Sequence, residues 1–231
     1  MNRTISIALS VVAFVAVVSV GAFFYLTRDI AAPTTDISES VEEVEITSTD
    51  GSSTVFEIDT TSTTAEYNIY ELLNGSDKTV VGMTDQVAGQ IAINVSDLSQ
   101  SEIGDLKINA RTFATDDDRR DNAVARYILQ SESDANEFIV FEPTKITGLS
   151  GSASVGDTVE FQVTGDLTVA GVTQTVTFNV SATLASEDQL TGLAETVISR
   201  ADFNLSIPEV PMVANVGDEV TLKLDFTASA V

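Results

Sequence analysis

Residues 161–184 read FQVTGDLTVAGVTQTVTFNVSATL. Phe161, Val163, Gly165, Leu167 and Val169 alternate with Gln162, Thr164, Asp166 and Thr168. Beyond Ala170-Gly171, Val176, Phe178, Val180, Ala182 and Leu184 alternate with Thr175, Thr177, Asn179, Ser181 and Thr183. Successive side chains of a strand point to opposite faces. This period of two therefore describes two strands joined by a tight turn, one face apolar and the other wet. Val220, Leu222, Leu224 and Phe226 repeat the pattern, as do shorter runs at Phe56/Ile58, Tyr67/Ile69, Ile91/Ile93/Val95, Leu106/Ile108/Ala110 and Phe203/Leu205/Ile207. With the mixed run Phe138–Phe141, about nine candidate strands fall within roughly 180 residues, which predicts an antiparallel barrel or a sandwich.

Thr115–Leu129 breaks the alternation. Asp116, Asp117 and Asp118 suit the positive end of a helix, and Val124, Tyr127 and Ile128 then fall on one helical face. The expectation is a short helix packing on the sheet as a lid or plug, with a gate over a cavity mouth as the sharper alternative. An EF-hand reading of the three aspartates fails, because the ligand spacing and central Gly are missing.

Outward from the strands, the N-terminus has another character. Ile5–Leu26 is a 22-residue stretch without a charge. As a helix it reaches about 33 Å, enough to cross a hydrocarbon core of about 30 Å. Val20-Gly21-Ala22 offers a signal-peptide cleavage site, but Phe23, Phe24, Tyr25 and Leu26 carry the apolar run past it. Residues 1–27 are thus expected to form an uncleaved membrane anchor, with a transmembrane helix over about 5–26. The N-terminus would lie in the cytoplasm and the body outside it, periplasmic or at the cell surface. Residues 28–52, acidic and rich in Ser and Thr, read as an extended linker of about 30 Å r.m.s. span. Residues 53–231 form the domain.

Composition narrows the chemistry. Lys and Arg number 11 against 35 Asp and Glu, a net charge of −24, so the basic footprint needed for nucleic acid or anionic headgroups is missing. The absence of Cys and His removes thiolate chemistry, the usual zinc cages and the commonest general base. No metal or cofactor is expected. Gly148-Leu149-Ser150-Gly151-Ser152 lacks the final Gly of a nucleophile elbow and reads as a turn. Asn-X-Ser/Thr matches at Asn2, Asn74, Asn94, Asn179 and Asn204 fall in part within candidate strands and read as chance.

Several short stretches, in their order, resemble the YceI-like, polyisoprenoid-binding family, whose domain is a lipocalin-like barrel. They are Phe56-Glu57-Ile58-Asp59 with Ser62; Val81-Gly82 with Ala88-Gly89-Gln90-Ile91; Arg120-Asp121 ahead of the helix; and the hairpin Gly165–Thr173. Ile198–Phe203 and Val216–Val220 resemble the family's closing strands. The resemblance covers about residues 54–229. Thr61 stands where members commonly carry a His, and Ala135 and Asn136 where a Pro usually precedes the strand after the helix.

The resemblance implies an all-β, antiparallel, eight-stranded lipocalin-like barrel with a short α-helix, holding an isoprenoid or other long-chain lipid without catalysis. If the apolar faces point inward, Phe56, Tyr67, Ile69, Phe161, Val163, Phe178 and Phe203 line the lumen. Each buried CH₂ of a guest chain then contributes about 0.8 kcal/mol. The competing reading has these side chains meeting in a filled core, which sequence does not separate from a hollow one. Arg200 and Asp202 look like an outward pair on one strand face, an inward Arg200 meeting a phosphate headgroup being the alternative. A homodimer stays open. The rival functions are an adhesive or structural β-sandwich at the cell surface and a carboxylate-based hydrolase, the latter needing two carboxyls in one cleft.

Overall fold

The computed structural model describes residues 29–41, 53–208 and 213–231. Among these, thirteen strands form one antiparallel sheet. The first seven are β1 (Thr54–Ile58), β2 (Thr64–Leu73), β3 (Ser76–Thr84), β4 (Val87–Ala88), β5 (Gln90–Ile93), β6 (Glu102–Ile103) and β7 (Leu106–Asn109). Then come β8 (Phe138–Thr147), β9 (Thr158–Val169), β10 (Val172–Ser186), β11 (Gln189–Ser199), β12 (Val213–Ala214) and β13 (Glu219–Ala230).

The 161–184 stretch forms the β9–β10 hairpin, in unbroken register from Val172↔Val169 to Thr183↔Thr158. Ala170 (φ +48°) and Gly171 (φ +77°) make the turn, both in the left-handed region, which matches the right-handed twist of the flanking strands. Asn74 (φ +51°) and Gly75 (φ +80°) make the same kind of turn between β2 and β3. The outward face of the β9–β10 hairpin is tied by polar cross-strand pairs, Thr164 to Thr177 at 2.8 Å and Gln162 to Asn179 at 2.9 Å.

Pairing runs β4–β7–β8–β9–β10–β11–β13–β1–β5–β6, with β2 on β13, β3 and β12. Only Gly89 separates β4, at one end of this path, from β5, next to its other end, so the sheet is curled on itself. A two-layer sandwich needs two sheets, and the described strands form one. Both β1 and β2 pair with β13, at Phe56↔Ala230 and at Leu224↔Ala65, with residues 59–63 looped out between them. Thr63 repairs the gap. Its hydroxyl donates to the Thr227 carbonyl and accepts from the Thr227 N–H, both at 3.1 Å.

Curvature brings rings over glycines. A Cβ on Gly82 would lie 2.2 Å from the Tyr67 ring, and one on Gly192 2.5 Å from the Phe226 ring. These residues face each other in register, Tyr67↔Gly82 and Gly192↔Phe226, so the missing side chain is the space the ring occupies.

Two predicted elements differ. The helix is α1 (Asp118–Ala123), continued by a wider π-turn over Val124–Ile128. Asp117 caps it, accepting from the N–H groups of Arg119 (2.9 Å) and Arg120 (3.3 Å). The predicted Phe203/Leu205/Ile207 strand is instead a 3₁₀ turn over Arg200–Phe203 that ends at Asn204 in the left-handed conformation. Arg200 fixes this turn by donating to the carbonyls of Gly217 (2.9 Å) and Leu205 (3.0 Å). The outward strand pair of Arg200 and Asp202 is therefore not formed.

Among the described residues, no helix is long and apolar enough to cross a membrane, and the predicted span 5–26 lies outside them. Contacts group the described residues from Ala31 onward as one unit. Within the predicted linker, Ala31–Val41 is not a free tether. Ile37 is 2% exposed, Thr34 is bonded to Glu137, and the Ala32 carbonyl accepts from Arg111 at 2.9 Å. Buried charges that need partners explain why this piece of an otherwise polar segment docks.

Candidate functional site

The inward face of the curled sheet packs into a core in part and elsewhere borders a partly open cavity of about 640 Å³, within the size range of ligand pockets. β2 contributes Ala65, Tyr67, Ile69, Glu71 and Leu73, alternate residues of one face. Phe161, Val163 and Leu167 enter from β9, and Phe178 and Val180 from β10. Phe161 and Phe178 lie on the inner face yet are only half-buried, because part of each ring borders the hollow. Phe178 meets Phe141 edge to face, with centroids 5.1 Å apart at 74°.

Five of the seven predicted lining residues, Tyr67, Ile69, Phe161, Val163 and Phe178, border the cavity together. Phe56 and Phe203 do not. Phe56, 1% exposed, lies on β1 between β5 and β13 and is packed into the solid part of the core. Phe203, 2% exposed, is carried by the 3₁₀ turn and is likewise in the core. Alternation identifies an inward face; it does not tell which stretch of that face borders the void.

The helical turn closes part of the wall, with Ala123, Val124, Tyr127, Ile128 and Leu129 lining it. Charged residues stand beside them. Arg120 reaches Glu71 at 3.3 Å and also pairs with Asp116, which in turn holds Lys78 at 2.7 Å. Hydrogen bonds from Lys78 and then Arg120 hold the Asp116 carboxyl down at about 2. Asp121, buried, accepts from the Thr115 N–H and hydroxyl at 2.8 and 2.6 Å.

Tyr67 was legible as an apolar ring on a strand, but its polar end was not. Its hydroxyl is shut from solvent and has no hydrogen-bond partner in the protein. Burial, reinforced by the Asp121 charge, pushes its ionisation well above that of a free tyrosine, so it is a neutral donor. Thr61, in the place of the family's common His, is exposed and donates its hydroxyl to Asp59 at 2.7 Å in an outward turn. Among the described residues, no group of three or more carboxylates is placed to hold a metal.

A family model of the YceI-like domain matches residues 56–228. The chain belongs to the YceI-like family. The YceI-like fold is shared with a polyisoprenoid-binding domain from Saccharophagus degradans implicated in plant cell wall breakdown, at 13% identity and a TM-score of 0.60. That likeness covers 76% of this chain and 98% of the other. Burkholderia cenocepacia BcnA is similar at 20% identity and a TM-score of 0.58, over 74% and 99% of the two chains. No curated protein sequence matches the chain.

Proposed function

We propose that this YceI-like domain is a non-catalytic carrier that encloses one isoprenoid or other long apolar chain. The observation that carries this reading is the cavity of about 640 Å³ walled by the inner faces of the strands. Segments that continue one another, β1 with β2, β3 with β4 and β5, and β6 with β7, read as single bent strands. With β8, β9, β10, β11 and β13 they make a lipocalin-like barrel of about eight strands, the size that just encloses a small ligand. Tyr67, Ile69, Phe161, Val163 and Phe178 are the proposed chain contacts. The uncharged run Ile5–Leu26 supports tethering to a membrane with the barrel outside the cytoplasm, beside the bilayer that supplies its ligand. Binding suffices for this role. Among the described residues, the carboxyls with displaced ionisation, Asp36, Asp59, Asp116 and Asp117, are all moved down, opposite to a general acid.

The test is native mass spectrometry and organic extraction of the full chain purified from membranes. One long-chain lipid per protein is expected. Protein that stays empty after exposure to prenyl lipids, or a two-layer sandwich in a crystal structure, overturns the reading. Alkaline extraction of membranes tests the tether: the chain should stay with the lipid, and release into the wash removes that part.

A further inference from the structure

The cavity has two ends, and they differ. At one end the loops are tied together. The Leu98 N–H donates to the Gly151 carbonyl at 2.7 Å, the Ala153 N–H to that of Val95 at 2.9 Å and the Gly156 N–H to that of Leu184 at 2.7 Å. These loops, residues 94–101, 148–157 and 185–188, carry Asp97, Asp157, Glu187 and Asp188 and no Lys or Arg. At the other end, where the helical turn sits, Arg119, Tyr127 and Pro208 line the cavity and are also exposed, so it opens there. Leu205, Ile207, Val213 and Val216, half-buried residues from between the 3₁₀ turn and β13, surround the same opening. Charges of both signs stand at this end: all the arginines of the described residues, Arg111, Arg119, Arg120, Arg126 and Arg200, beside Glu71, Asp116, Asp117 and Asp118.

The chain joins the domain at the open end. Arg111 and Glu137 lie just beyond the paired residues Asn109 and Phe138, where β7 stops and β8 starts, and they hold the Ala32 carbonyl and Thr34. Leu26, where the uncharged run stops, precedes Ala32 by six residues. Fully extended, that length reaches about 20 Å. β9, twelve residues long, spans about 36 Å, or about 28 Å along the axis of a barrel whose strands tilt by about 40°. A bilayer that holds Leu26 is therefore within reach of the open end and out of reach of the closed one. The closed end would also meet anionic headgroups with carboxylates alone. Tyr127, 43% exposed at the opening, is the kind of ring that settles at headgroup level, apolar in its body and polar at its tip.

From this arrangement we infer that the helix end of the domain, with Tyr127, Leu205, Ile207, Pro208, Val213 and Val216 around the opening, docks on the surface of the lipid bilayer. This rests on the tether in the reading above and adds which face of the domain meets the membrane. A guest chain then passes between bilayer and cavity without crossing water.

The chain has no Trp, so a single introduced one reports its own surroundings. Tyr127→Trp and Pro208→Trp at the opening, and Val155→Trp at the closed end, all replace exposed side chains. Each full-length variant is reconstituted into phosphatidylcholine vesicles with brominated acyl chains, which quench Trp fluorescence on contact. Tyr127→Trp and Pro208→Trp should each lose at least about half of their emission, as for a side chain seated about 5–10 Å into the interface, while Val155→Trp stays bright. Dissolving the bilayer in detergent should restore the lost emission. Two rim variants that melt like the parent chain, float with the vesicles and stay as bright as Val155→Trp overturn the docking, as does equal quenching at all three positions. Emission that stays low in detergent comes from a brominated guest in the cavity, which overturns the docking and leaves the carrier reading standing. Protein that does not float with the vesicles overturns the tether and the docking together, and lipid recovered by extraction still decides the carrier reading separately.

Discussion

Glu137 and Arg111 show what single residues contribute. Their side chains are each 1% exposed and lie 3.0 Å apart. Glu137 also accepts from the Thr34 N–H (2.7 Å), the Thr34 hydroxyl (2.6 Å) and the Asn109 amide (3.2 Å). Arg111 donates further to the carbonyls of Ser131 (2.6 Å) and Ala32 (2.9 Å) and to Asp134 (2.6 Å). Glu137→Ala would leave the guanidinium only the exposed Asp134 as counter-charge and unhook the Thr34 segment, so unfolding in urea should show a loss of about 2–3 kcal/mol. A loss below about 1 kcal/mol would mean the pair is neutral on balance. Asp116 gives a pH effect of the opposite kind, on the surface. Its carboxyl is lowered from 3.8 to about 2 by Lys78 and Arg120. A carboxyl lowered on folding stabilises above its unfolded value, and that contribution is lost as pH falls through the folded one. Thermal stability should therefore drop between pH 3.8 and about 2, and drop less in Asp116→Asn. Equal slopes for the two proteins would remove Asp116 from the account. Neither cluster was legible in sequence. Each joins residues far apart in the chain, and an isolated Arg, Glu or Asp carries no pattern.

At the scale of elements, the alternation identified the long strands because a half-buried pleated surface demands it. The β9–β10 and β13 strands fall where Phe161–Leu184 and Val220–Phe226 placed them. The shorter runs were less faithful. Phe203, Leu205 and Ile207 alternate like a strand, but Arg200 captures the Gly217 and Leu205 carbonyls and the backbone turns instead. The Asn74-Gly75 turn carries the strongest short hairpin signal, yet the alternation around it is weak. Cross-strand glycines depend on curvature. A Cβ on Gly192 would come within 2.6 Å of the Ser181 carbonyl as well as meeting the Phe226 ring at 2.5 Å. Gly192→Val should therefore destabilise the domain by about 1–3 kcal/mol through overpacking, read from the shift in urea midpoint. An unchanged midpoint would show that the Phe226 ring moves aside freely.

Among the described residues the strands form one curled sheet beside a cavity, and the proposed carrier role depends on that cavity staying open. Phe178 lies on the inner face of β10 and borders it. Phe178→Asp places a carboxylate against the apolar wall, so chain binding should fall by at least about tenfold while Phe178→Leu keeps most of it. Circular dichroism and thermal melts of both variants separate lost binding from lost fold. Undiminished binding by a folded Phe178→Asp protein would move the chain to another part of the cavity.

From the amino-acid sequence alone came the strand alternation, the exclusion of basic, thiol and imidazole chemistry, the helix position and the order of motifs that marks the family. These are local or additive properties: side-chain direction alternates at every residue, charge sums, and motifs lie along the chain. Only the tertiary structure decided that part of the inner face borders a cavity, that Phe56 and Phe203 fill the core while Phe161 and Phe178 border a hollow, and that Ala31–Val41 docks on Arg111 and Glu137. Whether two apolar faces touch depends on how tightly the sheet curls and how its register staggers. Those are set by pairings such as Phe56↔Ala230 and Gly192↔Phe226, between residues that the sequence lists far apart.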